Sequence, residues 1–434
     1  MLSESQVLQQ IRCLDPKTDR DQRCDIWVRD GQIQSLDLTA IALDQLPSNT
    51  VWINGSNLIL APGLVDLYSY SGEPGLEDRE TLVSLMSAAW AGGFTQIGIL
   101  PHTQPVLDQP AILALLQDKL AQLNQMTLPK IRFWGSLTLG GKGEQLSGLG
   151  ELAQAGVQGF MTHKPLENLA LLRRALEYLQ PLGKPLALVP INSSLQGNGV
   201  MREGPAAIRL GLPSEPEMAE TTAIATILEM VGEYRTPVHF MRLSTARGVD
   251  LVAQGKAQQL PITASVNWMH LLWNTDQLES YDPNLRLAPP LGNETDRLAL
   301  IQGLKSGIID AIAVDHRAYT YEEKTLAFAE APPGAIGLEL ALPCLWRGLV
   351  TTGMLTALEL WQALSLHSCH CWGLNSDEPT ARYVLFDPQA VWTVDGTNLK
   401  TLGRNTPYLG QTLQGKVQNI FLAPQPERVI NQQF

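Results

Sequence analysis

The densest concentration of metal-binding side chains in this 434-residue chain is His367-Ser368-Cys369-His370-Cys371, with two imidazoles and two thiols within five residues. The chemistry such donors suggest is zinc binding, because neutral imidazole and thiolate suit that ion. On a helix, however, His367, His370 and Cys371 share one face while Cys369 points elsewhere, and no second ligand pair completes a closed tetrahedral site. The other histidines are His102, His163, His239, His270 and His316. His239, His270 and His316 read as core or scaffold residues. A metal-free active site or small-molecule sensor would draw its polar groups from His102, His163, Asp315 and His316. His239-Phe240-Met241-Arg242 does not make a metal pair, since a guanidinium cannot give up its proton to become a ligand.

The elements that must position these groups are apolar runs alternating with helical patterns, which argues for βα units and a parallel sheet. Eight strands are expected, at Leu64–Tyr70, Gln96–Leu100, Ile131–Leu137, Gly159–Thr162, Pro185–Pro190, Pro237–Leu243, Ile262–Val266 and Ile309–Val314. Helices are expected at Glu80–Ala91, Ala111–Leu123, Leu166–Leu182, Glu220–Tyr234, Thr245–Gln254 and Thr295–Ser306. Eight repeats imply a closed (β/α)8 barrel, an α/β fold whose chemistry sits on the loops after the strands. Short β-like runs at Val7–Ile11, Asp25–Val28 and Gln32–Leu36, with the hairpin signal Asp30-Gly31, suggest a separate small β-unit.

Composition narrows the classes. Apolar residues make up 44% and charged residues 17%, which specifies a folded chain with a large core. The net charge of −12 and the lack of a basic stripe argue against nucleic-acid binding. No leader-like N-terminus and no membrane-length apolar run are seen, so a cytoplasmic protein without a membrane partner is expected. Five scattered cysteines, an odd number, are expected to be reduced.

Leu58–Gly75, LILAPGLVDLYSYSGEPG, opens with a near-continuous apolar run that reads as one buried strand. The segment resembles the first barrel strand of the dihydroorotase family, within the cyclic amidohydrolases, whose signature is PG-x-x-D-x-H-x-H followed by R-E-P-G. Further resemblance lies in Ala91–Asp108, Arg286–Gly307, Ile309–His316, Pro333–Pro343 and Arg404–Gly410, and it extends over essentially the whole chain. It implies a barrel at 58–374 and a β-sandwich built from 1–57 and 375–434.

The resemblance also implies a binuclear zinc site, and here the residues depart from it. Tyr68 and Tyr70 stand at both histidine positions, and a phenol with a pKa near 10 is a poor donor for zinc. Thr162 stands nearest the bridging aspartate, Val189 at the histidine after strand five, and Arg242 at the histidine after strand six. Asp315 alone is retained. Lys164, a formal candidate for carboxylation, would have no metal pair to bridge. Substrate positions have changed in parallel, to Gly72, His102, Ala288 and Tyr319. No zinc or other cofactor is expected. The resemblance therefore points to the inactive, dihydroorotase-like branch, whose members are structural partners of aspartate transcarbamoylase in pyrimidine biosynthesis or self-associate; the alternative is a hydrolase with a rearranged or metal-free site. Arg242 and Asp315 close strands six and eight, so the guanidinium is expected to pair with the carboxylate where a metal would lie.

Overall fold

Pro62-Gly63 is the point where the chain passes from one sheet to another. The computed structural model describes residues 5–36, 46–123, 128–162, 164–165, 167–374 and 381–424. The apolar run expected to form one strand is two. β5 (Ile59–Pro62) lies in a small sheet with β1 (Ser5–Asp15), β2 (Arg20–Arg29), β3 (Gln32–Ser35), β4 (Val51–Asn54), β16 (Arg382–Thr393) and β17 (Thr412–Leu422). The barrel thus begins after Gly63 and not at residue 58. Both strands are fully buried, so apolarity alone did not reveal the change of sheet.

The small sheet runs β2-β3-β17-β16-β5-β1-β4, and β1 also pairs with β2, so the sheet curls around Leu8, Ile11, Ile26, Val28, Ile33 and Leu60. Asp30 and Gly31 adopt φ of 51° and 76°, as a two-residue hairpin turn requires. The expectation that all cysteines are reduced fails here, since Cys13 and Cys24 form a disulfide. A parity count across the chain misses what strand register supplies: β1 and β2 are antiparallel neighbours, and the two Cα atoms lie 6.4 Å apart. Cys344, Cys369 and Cys371 are buried and lie outside this disulfide.

The barrel strands are β6 (Leu64–Ser69), β7 (Phe94–Ile99), β8 (Lys130–Ser136), β9 (Gly159–Met161), β10 (Leu186–Leu188), β13 (Val238–Phe240), β14 (Ile262–Asn267) and β15 (Ala311–Ala313), parallel and in sequence order. Val65, Leu67, Trp134, Met161, Ala187 and Met241 fill the interior. The seam between the first and eighth strands is bridged by a side chain: Val314 N–H donates to Asp66 Oδ1 at 2.7 Å, and just beyond it Tyr70 N–H donates to His316 O at 2.8 Å. An excursion after the fifth strand carries β11 (Met201–Arg202) and β12 (Ser214–Glu215), which pair with each other. No helix among the described residues is long and apolar enough to cross a membrane.

Candidate functional site

Arg242 and Asp315 follow the sixth and eighth strands, and both sit at positive φ, 58° and 54°. A left-handed backbone costs an arginine about 1–2 kcal/mol, so something must hold it there. Arg242 Nη2 donates to Asp315 Oδ1 at 2.6 Å and to Tyr70 Oη at 3.0 Å. The guanidinium carbon lies 5.6 Å from the Tyr68 ring centre and 5.8 Å from that of Tyr70. Asn267 Nδ2 donates to the second carboxylate oxygen of Asp315 at 3.3 Å. Below the ion pair a neutral relay runs inward. Tyr68 Oη and Ser265 Oγ are 2.8 Å apart, Ser265 Oγ and His239 Nε2 2.9 Å, and His239 Nδ1 and Thr263 Oγ1 2.8 Å.

Buried hydrogen bonds hold the loop that follows Arg242. Arg202, in the excursion, donates to Ser244 Oγ at 2.6 Å and faces Glu215 at 3.5 Å. Glu220, in the helix Met218–Tyr234, accepts the N–H and O–H of both Ser244 and Thr245. The loop just past Arg242 is thereby tied down by a fully buried carboxylate.

Burial pushes the Asp315 carboxyl up, while the charge and hydrogen bond of Arg242 and the charge of Arg317 pull it back. Burial also works against the charge on Arg242, but Asp315 and the two phenols outweigh it, and its pKa is raised. Burial, reinforced by Asp315, lifts Tyr68 far above the ordinary phenol value, which keeps it a neutral hydroxyl. His316 Nδ1 accepts the N–H of Gly337 at 3.1 Å, so its proton resides on Nε2, which faces Glu80 at 3.2 Å.

Burial brings His239 down to about 3 and, with Arg202 second, His270 to about 4; it raises Asp66 and Glu339 to about 7. Each histidine takes up a proton only in the unfolded chain between its native value and ~6.5, so its contribution to stability is present above that pH and lost on acidification. Each carboxyl holds its proton only in the native state between ~4 and its native value, so its contribution is present below that window and lost as pH rises. The two effects oppose one another between roughly pH 4 and 6.5. His239→Gln should separate them: urea unfolding should find the variant progressively less destabilised relative to wild type from pH 6.5 to 4.5, by about 1.4 kcal/mol per pH unit.

The positions that the resemblance assigns to substrate are equally closed. A Cβ on Gly72 would lie 2.3 Å from Leu76 O and 2.4 Å from Glu80 O, so no side chain fits without moving backbone. Gly72→Arg is expected to cost at least about 1–3 kcal/mol in thermal or urea unfolding and not to recreate an anion clamp. The His102 ring packs edge-on against Tyr70 with centroids 4.9 Å apart. Ala288 lines a cavity of about 30 Å³ beside Arg242 and Asp315. Tyr319 donates to Pro333 O at 3.0 Å, and burial pushes its phenol up to about 12. Arg317 lies over the Tyr70 ring at 4.2 Å, between that cavity and a second of about 30 Å³ next to Gly72 and His102. Each has room for a water or two, not for a ring-shaped substrate.

These residues do not fit a divalent metal. Of the six positions that the resemblance assigns to metal ligands only Asp315 carries a carboxylate, and a protonated guanidinium occupies it at 2.6 Å. Among the described residues no three His, Cys, Asp or Glu side chains converge to hold a metal. His367–Cys371 lies on the short helix Leu366–Cys371, with Cys369 and Cys371 buried and His370 exposed. Lys164 is exposed and His163 lies outside the described residues. Thr162 and Val189 are not in the plug described above; both line a separate cavity beside strands four and five.

Sequence reasoning missed Arg317, Asn267, Ser265 and the Arg202–Glu220 network. Arg317 was legible, two residues past Asp315 in the same strand-end loop. The network was not, because it joins an excursion, a helix and a loop far apart in sequence.

No protein-family model matches the chain. A probable dihydroorotase-like protein of Synechocystis sp. is 50% identical over 440 aligned residues, covering 95% of this chain and 99% of the relative. A dihydroorotase of Geobacter metallireducens is 34% identical over 414, covering 94% and 96%. Among solved structures, the L-hydantoinase (dihydropyrimidinase) of Arthrobacter aurescens superposes with a TM-score of 0.79 at 20% identity, covering 95% of this chain and 94% of that one, which is a likeness of fold.

Proposed function

The chain belongs to the dihydroorotase family, and from that premise we propose that it is a catalytically inactive member. Its role in this reading is that of a structural or regulatory partner in pyrimidine biosynthesis, associated with aspartate transcarbamoylase or with further copies of itself. The observation that carries the first half is the Arg242–Asp315 ion pair, packed by Tyr68 and Tyr70 where family members place metal ligands. Hydrolysis of a cyclic amide needs an activated water and a stabilised oxyanion. Here the retained carboxylate is engaged, His239 is buried and hydrogen-bonded on both nitrogens, and the mouth has no room for the ring. The relative at 50% identity is itself named dihydroorotase-like, which agrees with this reading. The partner role rests on the family resemblance alone.

Assays of the purified chain in both directions test inactivity. It should neither hydrolyse dihydroorotate nor cyclise carbamoyl aspartate; turnover that disappears in Asp315→Ala would end the proposal. Affinity capture from native cells should recover aspartate transcarbamoylase or a multimer of the chain, and recovery of the monomer alone would count against the partner role.

A further inference from the structure

An opening larger than either cavity at the plugged mouth lies at the C-terminal ends of the strands. It lies between the tops of strands four and five and the helices Leu169–Leu179 and Met218–Tyr234, and its volume is about 190 Å³ against about 30 Å³ for each cavity at the mouth. Leu172, Leu188, Val189 and Ile227 give it an apolar wall. Thr162, Asn192, Ser193 and Ser194 supply hydroxyls and an amide. Asn192 spends its Oδ1 on the N–H groups of Ser194 and Leu195, at 3.1 and 3.3 Å, which leaves its amino group as a donor. The lining described contains no lysine, arginine or histidine, and its one charged residue, Glu167, is exposed at the rim.

We infer that this cavity is a binding site for a small uncharged organic molecule with an apolar body and an amide or hydroxyl end. Its size admits about six to ten non-hydrogen atoms, below the range of ordinary drug-sized pockets. An apolar wall with a few convergent polar groups is the usual composition of a small-molecule site. Charge argues against the alternative: a carboxylate or phosphate would be desolvated against a wall whose described residues include no cation, in a chain of net charge −12. Two of the six family ligand positions, Thr162 and Val189, line this cavity, while Tyr68, Tyr70, Arg242 and Asp315 make the plug. Binding here is independent of the proposed inactivity and of any partner.

The test is a titration of the full chain, labelled with ¹³C at Ile, Leu and Val methyls, with isobutyramide and separately with its charged isostere isobutyrate. Isobutyramide should give saturable shifts at Leu172, Val189 and Ile227, and isobutyrate should bind at least ten-fold more weakly. Ala223, half-buried on the helix and lining the cavity, allows it to be filled. Ala223→Trp should abolish the shifts, and Ala223→Leu, the milder variant should the first not fold, should weaken binding several-fold. Absence of saturable shifts, equal binding of isobutyrate, or undiminished binding in a folded Ala223 variant would overturn the assignment.

Discussion

Arg242→Ala is expected to destabilise the chain by about 3–5 kcal/mol in urea unfolding, the usual effect of removing one member of a buried ion pair. The pair qualifies as buried, with side-chain exposures of 9% and 11%. Most of the loss comes from what remains: the Asp315 carboxylate, already pushed up by burial, would lose its closest cation and its shortest hydrogen bond. Left-handed backbone at both positions adds to the effect, since the pair is what opposes that strain. The double variant Arg242→Met with Asp315→Leu should recover much of the loss, because an apolar pair of similar volume removes the desolvation penalty together with the attraction. Equal destabilisation in the single and double variants would show that volume, not charge, holds the mouth. Arg242→His restores a family imidazole, yet it should not create zinc binding, since Tyr68, Tyr70 and Val189 still offer no suitable donor.

Glu220→Ala carries the second large effect, also about 3–5 kcal/mol, from two buried backbone N–H groups at ~1–3 kcal/mol each plus the lost hydroxyl partners. Its two oxygens accept Ser244 N–H at 3.0 Å and Oγ–H at 2.5 Å, and Thr245 N–H at 3.1 Å and Oγ1–H at 2.6 Å. Thr245 is also the N-cap of the helix Ala246–Ala257, accepting Gly248 N–H at 2.9 Å, so the loss spreads to that helix terminus. Glu220→Gln should cost about half as much, because the hydroxyls can rotate to accept from the new amide while one backbone N–H loses its acceptor. Hydrogen exchange at Ser244 and Thr245 should quicken in both variants. Unchanged exchange would mean that the loop beyond Arg242 is held by something else.

Much of the scaffold was legible before the structure. Most of the eight barrel strands are apolar runs bounded by Pro, Gly or a polar turn, a pattern that parallel strands covered on both faces leave in sequence, while Lys130–Ser136 carries Lys130 and Arg132 in its less buried first half. The convergence of Arg242 and Asp315 followed from both residues closing barrel strands. What stayed hidden depends on contacts between distant segments. Ile59–Pro62 and Leu64–Ser69 are equally apolar, and only pairing with Arg382–Thr393 shows that the first belongs to the small sheet. The Cys13–Cys24 bond required strand register, which a count of cysteines does not carry. The bridging role of Asp66 required the closure of strand one on strand eight. Gly72 could be read as a lost arginine, but not as a position where backbone on two sides excludes any side chain.

The central claim is that a guanidinium has replaced the metal at the barrel mouth. Its most direct test is zinc content, measured on the full chain after expression in zinc-supplemented medium, equilibration with zinc and removal of loosely held ion. Well below one zinc per chain, unchanged by Asp315→Ala, is the expected result. Two zinc ions per chain, lost on Asp315→Ala, would contradict it.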